Sequence, residues 1–377
     1  MRAEEHHTGT SETYTLPNVP SEIGPRHEPD GTNEPGGSRE PAPFFVVGAD
    51  RSGTTLLRLY LNAHSRLAIP SESWFLIDLF RVFPPPVSLS HDDVARAVEI
   101  VTSHPRYRDG WHVPPVSLLE TFAVDGAVTT TEFIDTLYRQ EVGANGRPGA
   151  GAGADVRWGD KTPEYVMHVD ALDRCFPRAQ FVHIVRDGRD VFLSLANRRW
   201  SDRGWSPYEV GRYWSRVVRA AADAEARFGP KRFLRVRYED LVLSTRGTLE
   251  GVCAFLGVPF EPAILDAHDD AEAIQTARER ELHVHDRLGR APRAADVERW
   301  RREGAPWRRA LVESCMGREL LAYDYPDVAP VWRRIALRPA SVAHFVWTRR
   351  AGPYARRVVR EAGRHVTRAL GRRAPRR

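Results

Sequence analysis

The chain has 377 residues, 42% of them hydrophobic, which is enough for one large α/β domain or two smaller ones with a buried core. Its net charge of +5 is uneven, because the residues from Val331 onward contain 14 arginines and a single acid, Glu361. The start of the chain lacks the apolar segment of a secretory signal, and no run of 18 apolar residues occurs, so at most a peripheral membrane contact is expected. The few, widely spaced cysteines exclude a disulfide framework or a zinc cluster and favour a reducing cytoplasm; they are Cys175, Cys253 and Cys315.

Composition divides the chain into three regions. Residues 1–42 are rich in Pro, Gly, Glu, Ser and Thr, and we expect a disordered leader there. Residues 43–330 alternate strand-like apolar runs with helical patterns, which predicts a three-layer α/β/α, P-loop-like fold with a central parallel sheet. Residues 331–377 form a basic, arginine-rich tail, interpreted as a solvated basic helix or disordered arm, or as an attachment to an anionic membrane surface or polyanion. No specific nucleic-acid motif occurs.

The first predicted strand, Pro43–Val47, leads directly into a phosphate-binding loop. Residues 48–55 read G-A-D-R-S-G-T-T, which has the spacing of a Walker A motif but carries Thr54 in place of the lysine. A helix is predicted from Thr54, so the loop amides lie at a helix N-terminus. The fixed positive charge is Arg51, which suits a nucleotide whose phosphate end carries less charge than a magnesium-bound triphosphate.

The second predicted strand, Gln180–Val185, is followed at once by Arg186, and Ser194 lies eight residues later on the next predicted helix. Because ligands of open parallel sheets bind at the carboxyl edge of the strands, Arg186 and Ser194 are candidates for binding a second phosphate. The alternative is that Arg186 only pairs with Asp187 or Asp190.

A third strand is predicted over Arg232–Tyr238, and two helix starts show the N-cap and proline pattern. Ser206 opens a helix that runs to about Phe228, and Thr162 opens a helix directly after Lys161. The chain has only two lysines against 53 arginines. We therefore predict that Lys161 is kept as a compact, flexible ammonium group with a function, and that the other lysine is incidental.

Glu72 lies between apolar runs near the expected mouth of the site. Partial desolvation would raise its pKa towards that of a general base. The alternative is a helix-capping acid before Trp74. His64, which follows the loop helix, is interpreted as a structural cap.

Four motifs in this order resemble those of the PAPS-dependent sulfotransferases, most closely the bacterial branch similar to tyrosylprotein sulfotransferase. They are G-A-D-R-S-G-T-T-L-L at 48–57, W-G-D-K-T-P at 158–163, V-R-D-G-R-D-V-F-L-S at 185–194 and R-Y-E-D-L at 237–241. The resemblance covers about residues 43–325. It implies an enzyme that uses PAPS (3′-phosphoadenosine-5′-phosphosulfate) as co-substrate.

The resemblance also implies how the nucleotide is held. Arg186 and Ser194 would bind the 3′-phosphate, and Tyr238 would contact the nucleotide phosphate as well. The loop would bind the 5′-phosphosulfate through Arg51, Ser52, Gly53, Thr54 and Thr55.

For catalysis the resemblance implies that Glu72 is the base and that Lys161 contacts the transferring group. Lys161, Arg51 and the loop amides would stabilise the charge that develops on the leaving oxygen, without a metal. The chain departs from the family at one position. The branch has a catalytic serine two residues before a tryptophan, and Glu298 stands in that place before Trp300, so the serine's role is not carried over.

Two other functions remain open from the residues. A nucleotide kinase or NTPase with a degenerate loop would need a replacement lysine and a magnesium-binding acid; Asp187 offers the acid, but no lysine is nearby in sequence. A non-catalytic nucleotide-binding protein would bind and never turn over. The acceptor is also open among small-molecule phenols, carbohydrates and tyrosyl peptides, and its pocket is expected from residues 76–125 and 198–213. Nothing indicates the oligomeric state.

Overall fold

The computed structural model describes residues 42–122, 128–144, 156–196, 205–270, 290–326 and 328–351. The strands, in chain order, are β1 (Phe44–Gly48), β2 (Leu67–Ala68), β3 (Ser88–Leu89), β4 (Val128–Thr129), β5 (Arg157–Asp160), β6 (Gln180–Val185) and β7 (Phe233–Arg237). Five of them form one parallel sheet in the order β2-β5-β1-β6-β7, and β3 and β4 form a separate antiparallel pair. The central strand β1 therefore lies between β5 and β6, and the carboxyl ends of these three strands meet at one edge.

Helices connect the strands. The α-helices are α1 (Thr54–Asn62), α2 (Phe75–Val82), α3 (His91–Ser103), α4 (Pro105–Gly110), α5 (Pro115–Thr121), α6 (Thr130–Ala144), α7 (Val169–Cys175), α8 (Gly188–Ala196), α9 (Pro207–Phe228), α10 (Tyr238–Leu243), α11 (Thr245–Leu256), α12 (Pro306–Ala322) and α13 (Val331–Val346). Short 3-10 helices cover Pro163–His168, Pro262–Asp270, Ala294–Asp296 and Arg299–Arg301, and a π-helical turn covers Trp347–Ala351.

The sheet separates two apolar clusters, because successive residues of a strand face opposite sides. Phe45 and Val47 of β1 belong to a cluster that includes residues of α2, α6 and α9. Phe44 and Val46 belong to the other, which includes residues of α1, α10 and α11. Helices thus cover both faces of the sheet, and the predicted three-layer α/β/α fold is confirmed.

Several predicted boundaries are confirmed. The second strand covers Gln180–Val185 as predicted. The helix α9 begins with a capping box, in which the Ser206 hydroxyl accepts a hydrogen bond from the Glu209 amide at 3.2 Å, and it ends at Phe228. The third strand is shorter than predicted, since it ends at Arg237 and Tyr238 begins α10.

A helix does follow Thr162, as predicted, but it is a 3-10 helix, and the predicted capping by the Thr162 side chain is wrong. Its hydroxyl instead accepts a hydrogen bond from the amide of Ser73, 3.2 Å away. The Thr162 hydroxyl oxygen, which the local pattern assigned to helix capping, is therefore used in a contact with a distant segment.

The strands β2 and β5 were not predicted. They have two and four residues, and β5 carries charged side chains at both ends. Arg157 is buried nonetheless, because its guanidinium donates to the carbonyl of Leu256 at 2.8 Å. A strand this short has no periodicity to detect, and its partners across the sheet define it.

The predicted leader, apart from Ala42, and the last part of the predicted tail, residues 352–377, lie outside the described residues. The first part of that tail forms α13, which packs on α12 and α9. None of the helices within the described ranges is long and apolar enough to cross a membrane.

A buried histidine on β6 makes the stability of the fold depend on pH. His183 is fully buried beside the rings of Phe233 and Tyr323, and neither ring nitrogen has a hydrogen-bond partner within the described part of the chain. Burial, assisted by the charge of Arg235, lowers the pKa of His183 from 6.5 to about 3. Between pH 6.5 and about 3, His183 is therefore protonated in the unfolded chain and neutral in the folded chain.

We predict that this histidine lowers the free energy of unfolding as the pH falls from 6.5 towards 3, by about 2 kcal/mol at pH 5. His183→Leu should remove that part of the pH dependence, because leucine has nothing to protonate, and should cost little at pH 7, where no hydrogen bond is lost. Urea unfolding of both proteins at pH 7 and pH 5 measures the difference. Parallel losses in the two proteins would contradict the prediction.

Candidate functional site

The turn between β1 and α1 requires glycine at Gly48 and Gly53. Gly53 has a φ of 100°, and Arg51 between them has a φ of 69°, in the left-handed region that glycine adopts without strain. A Cβ on Gly53 would lie 2.5 Å from Cδ2 of Tyr238, and one on Gly48 would lie 2.4 Å from the carbonyl oxygen of Ile184. The loop is therefore folded tightly against the sheet edge, with Tyr238 directly beneath it.

This turn has the properties of an anion site. The first turn of α1 leaves backbone N–H groups without helical acceptors, and the helix dipole adds positive potential there. The hydroxyl of Ser52 is completely buried and has no partner among the described residues. The guanidinium of Arg51 reaches across to α8, where its Nε donates to Oγ of Ser194 at 3.2 Å. An orphaned hydroxyl, helix amides and an arginine fit a phosphate or sulfate group.

Arg186, at the end of β6, lies beside this loop. Its guanidinium stacks on the ring of Tyr238, 4.1 Å from the ring centre, and donates to the carbonyl of Arg51 at 3.3 Å. It also contacts Asp190 at 3.2 Å, so one of the two predicted acid partners is present. Its Nε is buried and has no partner within the described ranges. The structure thus brings Arg51, Arg186 and Tyr238 together with an unused donor.

Asp187, the other candidate partner of Arg186, pairs elsewhere. Both of its oxygens accept hydrogen bonds from Arg189, at 3.0 Å from Nε and 2.7 Å from Nη2. Arg189 also lies 3.6 Å from the ring centre of Trp300. The amide of Trp300 donates to Asp190 at 2.8 Å. The segment that follows residue 290 is therefore attached to the same edge of the sheet.

Glu298, which stands where the resembled branch has a serine, makes a local ion pair. It has a left-handed φ of 49°, and its carboxylate lies 2.7 Å from Nε of Arg301. Its side chain is 36% exposed. A half-exposed carboxylate held by its neighbour in the chain does not substitute for the serine.

Lys161 and Glu72 form a close ion pair beside the loop. Nζ of Lys161 contacts Oε1 of Glu72 and donates to the hydroxyl of Thr55 at 3.2 Å. The second oxygen of Glu72 accepts from the indole of Trp74 at 2.9 Å and lies 3.7 Å from Arg106. The lysine side chain is 1% exposed and the glutamate 14%. Two residues predicted separately from the sequence, one directly after β5 and one before α2, thus meet beside the loop between β1 and α1.

The expected direction of the Glu72 pKa was wrong. Burial alone raises the pKa of Glu72, but the charges of Lys161 and Arg106, with hydrogen bonds from Lys161 and Trp74, outweigh burial and lower the pKa to about 2. The sequence indicated the apolar surroundings of Glu72. It did not indicate that folding places two cations, Lys161 and Arg106, beside the carboxylate.

A buried polar junction behind this pair was missed. Oγ of Ser73 donates to Asp160 at 2.8 Å and lies 2.5 Å from the hydroxyl of Tyr165. The same Asp160 oxygen accepts from the hydroxyl of Tyr138 at 2.6 Å. Ser73 follows Glu72 directly, and Asp160 precedes Lys161. The junction therefore fixes the two segments that carry the ion pair, and the one available signal was the position of Asp160 inside the W-G-D-K-T-P motif.

A second carboxyl group lies near the loop. Burial and the negative charge of Asp50 raise the pKa of Glu164 to about 7, and Arg216 opposes them. Tyr213 links this region to the loop, because its hydroxyl oxygen accepts a hydrogen bond from the Asp50 amide at 3.0 Å. Glu164 titrates close to neutral pH and so is a second candidate acid or base.

The segments expected to form the acceptor pocket are described only in part, since residues 123–127 and 197–204 lie outside the described ranges. Two of the aromatic residues counted there, Tyr107 and Trp111, are buried in the core against Phe75. Arg106, with 38% of its side chain exposed, is the charged residue of this segment that contacts Glu72.

His64 is structural, as predicted. One ring nitrogen lies 2.8 Å from the carbonyl oxygen of Pro259, and the other accepts from the amide of Arg66 at 3.0 Å. The ring is buried at the end of α1.

Comparison with known proteins agrees with these features. The model of the sulfotransferase family matches residues 43–262. Protein-tyrosine sulfotransferase A of Caenorhabditis elegans is 24% identical over 245 residues, which are 64% of this chain and 57% of that protein. Protein-tyrosine sulfotransferase 2 of Gallus gallus is 24% identical over 239 residues, covering 60% and 54% respectively. The chain thus spans little more than half the length of these relatives.

A solved structure shares the fold. The sulfotransferase domain from the curacin biosynthetic pathway superposes with a TM-score of 0.50 at 21% identity, over 76% of this chain and 99% of that domain. The family match covers more than half of the chain and contains all four motifs together with the loop, Arg186 and Lys161. The chain therefore belongs to the PAPS-dependent sulfotransferase family.

Proposed function

We propose that this protein transfers a sulfuryl group from PAPS to an acceptor, which is an alcohol hydroxyl, a phenol or an amine. The observation that carries the proposal is the meeting of three groups at one sheet edge: the phosphate loop, the Arg186–Tyr238 stack and the Lys161–Glu72 pair. Family membership supports the same chemistry.

The residues present fit a nucleotide with phosphates at both ends. The loop, with the orphaned Ser52 hydroxyl and the amides that precede Thr55, would hold the 5′-phosphosulfate. Arg186, with its unpaired Nε, and Ser194 would hold the 3′-phosphate, and the ring of Tyr238 would keep the Arg186 guanidinium in place. When bound, PAPS supplies an activated sulfuryl group.

The protein's own groups would supply the proton transfer and the charge stabilisation. Glu72 accepts the proton of the acceptor hydroxyl as its oxygen bonds to sulfur. The bond between sulfur and the bridging phosphate oxygen breaks, and the electron pair remains on that oxygen. Lys161 and Arg51 stabilise this negative charge. Lys161 is attached to the loop through Thr55, so its ammonium lies close to the site of charge development.

The ion pair suggests how the base becomes active. With a pKa of about 2, Glu72 is a weak base in the arrangement described here. An anionic donor beside Lys161 would offset the ammonium charge, and a nearby negative charge raises the pKa of a carboxylate. Burial, no longer outweighed by the ammonium charge, would then raise the pKa of Glu72, as expected from the sequence. Glu72 would gain basicity only when the donor is in place.

A nucleoside-triphosphate kinase is the main competitor. The structure does bring a lysine to the loop, since Lys161 reaches Thr55. However, Asp187, the acid that would bind magnesium, is buried and engaged on both oxygens by Arg189. Titration with adenosine 3′,5′-bisphosphate in the presence of a chelator, against Mg-ATP, separates the two functions. Tight binding of Mg-ATP alone would favour the kinase.

For the acceptor we propose a range of hydroxyl compounds and not a single one. The relatives named above are protein-tyrosine sulfotransferases, which makes a tyrosyl phenol one acceptor to test, beside carbohydrates and small phenols. Arg106 beside Glu72 would favour an acceptor with a negative charge close to its hydroxyl.

We predict that Glu72→Gln and Lys161→Ala each reduce turnover by roughly 10²-fold or more, since each removes a positioned base or charge donor. The measurement is transfer of labelled sulfuryl from PAPS to a panel of hydroxyl acceptors, read by mass. Arg81→Gln is a matched control, because the half-exposed Arg81 forms an ion pair with Asp78 at the surface.

Binding of the bisphosphate by each variant provides the second readout. Glu72→Gln should bind it as the wild type does, which shows that the loop is intact. Wild-type turnover in both variants would refute the assigned roles. Bisphosphate binding without transfer to any acceptor would favour the non-catalytic function.

The pH profile of kcat/KM for PAPS tests the ion pair itself, because it reports the enzyme before the donor binds. With the pKa of Glu72 at about 2, we predict no acid limb from Glu72 in the wild type at any pH where the protein is folded. Lys161→Ala leaves burial opposed mainly by Arg106, so the pKa of Glu72 should rise and the residual activity should fall as the pH is lowered through the new value.

Glu164 provides the control for this experiment. Its pKa of about 7 would produce a limb near neutrality if it were the base. Glu164→Gln should leave both profiles unchanged. Loss of a neutral limb in that variant, or the same profile for wild type and Lys161→Ala, would remove Glu72 from the role of base.

A further inference from the structure

The helix α13 turns its more apolar side to solvent. From Trp332 to Val346, apolar residues recur every three or four positions, the spacing of one helix face, and those on this face are exposed, as is Trp347 in the turn that follows. Trp332, Ile335 and Trp347 are 72%, 64% and 60% exposed. A surface helix normally packs this side on the core. We call this stripe the outer face; it consists of Trp332, Ile335, Pro339, Val342, Val346 and Trp347.

The side of α13 that packs on the protein is more polar. Ser341 is completely buried, with Oγ 3.5 Å from Sγ of Cys315 on α12. Arg334 lies against Gly317 of α12, and its Nε has no partner within the described part of the chain. The apolar exceptions are Phe345, which packs on Tyr208, and the partly buried Leu337. The amphipathic pattern of α13 is thus reversed relative to the core it packs on.

The surroundings of the outer face are positively charged. Residues 331–351 contain no acid, and Arg333 and Arg338 are exposed beside the stripe. A cavity of about 380 Å³ opens between α9, α12 and α13 and shares Ile335 with the outer face. Glu319 is the only acid among the residues that line it, and the five arginines are Arg212, Arg219, Arg318, Arg334 and Arg338. This combination fits a surface that is both apolar and anionic.

We propose that the outer face of α13 lies on an anionic phospholipid membrane. The indoles and aliphatic side chains would enter the headgroup region, where tryptophan is favoured because its ring is apolar and its N–H is polar. The arginines beside the stripe and in the cavity would bind lipid phosphates. With 16 residues the helix is about 24 Å long and lies in the interface plane.

Charge favours a membrane over a second copy of the chain. A symmetric dimer through this face would place the two sets of arginines together without any acid of residues 331–351 to compensate them. An anionic bilayer supplies the opposite charge and the apolar layer at once. Residues 352–377 add nine arginines and one acid to the sequence that follows this helix and its terminal turn.

The test is the partition of the full-length protein onto vesicles of phosphatidylcholine, alone and mixed with phosphatidylserine. We expect binding to the mixed vesicles, weakened at least tenfold by Trp332→Gln with Trp347→Gln. Arg333→Glu with Arg338→Glu should weaken it by roughly fivefold or more per charge, the effect of one basic residue near an anionic surface. Both double variants should keep the urea midpoint of the wild type, since the changed side chains are exposed.

Leu243→Gln and Val116→Gln are matched controls, because these apolar side chains are 60% and 56% exposed elsewhere on the protein; they should bind as the wild type does. Equal binding to neutral and mixed vesicles would overturn the proposal. So would wild-type binding by the tryptophan variant, which would assign the interaction to residues 352–377. A concentration-dependent dimer that the same substitutions dissolve would also overturn it, in favour of a second copy.

Discussion

The side chain of Lys161 is only 1% exposed. A cation removed from water in this way is tolerated only beside an opposite charge and with further hydrogen bonds. Glu72 supplies that charge, so the segment before α2 must lie against the end of β5. The junction of Ser73 with Asp160 holds the same two segments one residue away from each charge. Charge pairing and covalent order together bring Glu72 and Lys161 to the same end of the sheet, although the two residues are 89 positions apart in the sequence.

The same principle applies to the other cation of the site. Arg186 is matched by Asp190, and Asp190 in turn accepts the amide of Trp300. The cations therefore have protein partners, yet within the described residues Nε of Arg186 has no partner, and neither has the neutral hydroxyl of Ser52. A polyanionic ligand would share these charges with the protein's acids and would change the basicity of the acids as it binds.

Sequence reasoning succeeded where a pattern is local. The strand Gln180–Val185 and the capping box of α9 are confirmed because alternation of apolar residues and side-chain capping act within a few residues. It failed where a distant partner decides: Thr162 lost its capping role to Ser73, and the pKa of Glu72 fell because Lys161 and Arg106 lie beside it. The motifs predicted that the loop after β1 and Arg186 belong to one site, and the two are in contact. The polar junction at Asp160 depends on contacts that no single segment encodes.

The helix α9 connects the two surfaces for which functions are proposed. Tyr213 reaches the loop amide of Asp50, while Arg212 and Arg219, on another side of the helix, line the cavity next to α13. Because α9 contacts both regions, a membrane that holds α13 would also hold the loop at a fixed orientation to the bilayer. An acceptor at the membrane surface would gain effective concentration from this geometry without any additional contact in the catalytic site.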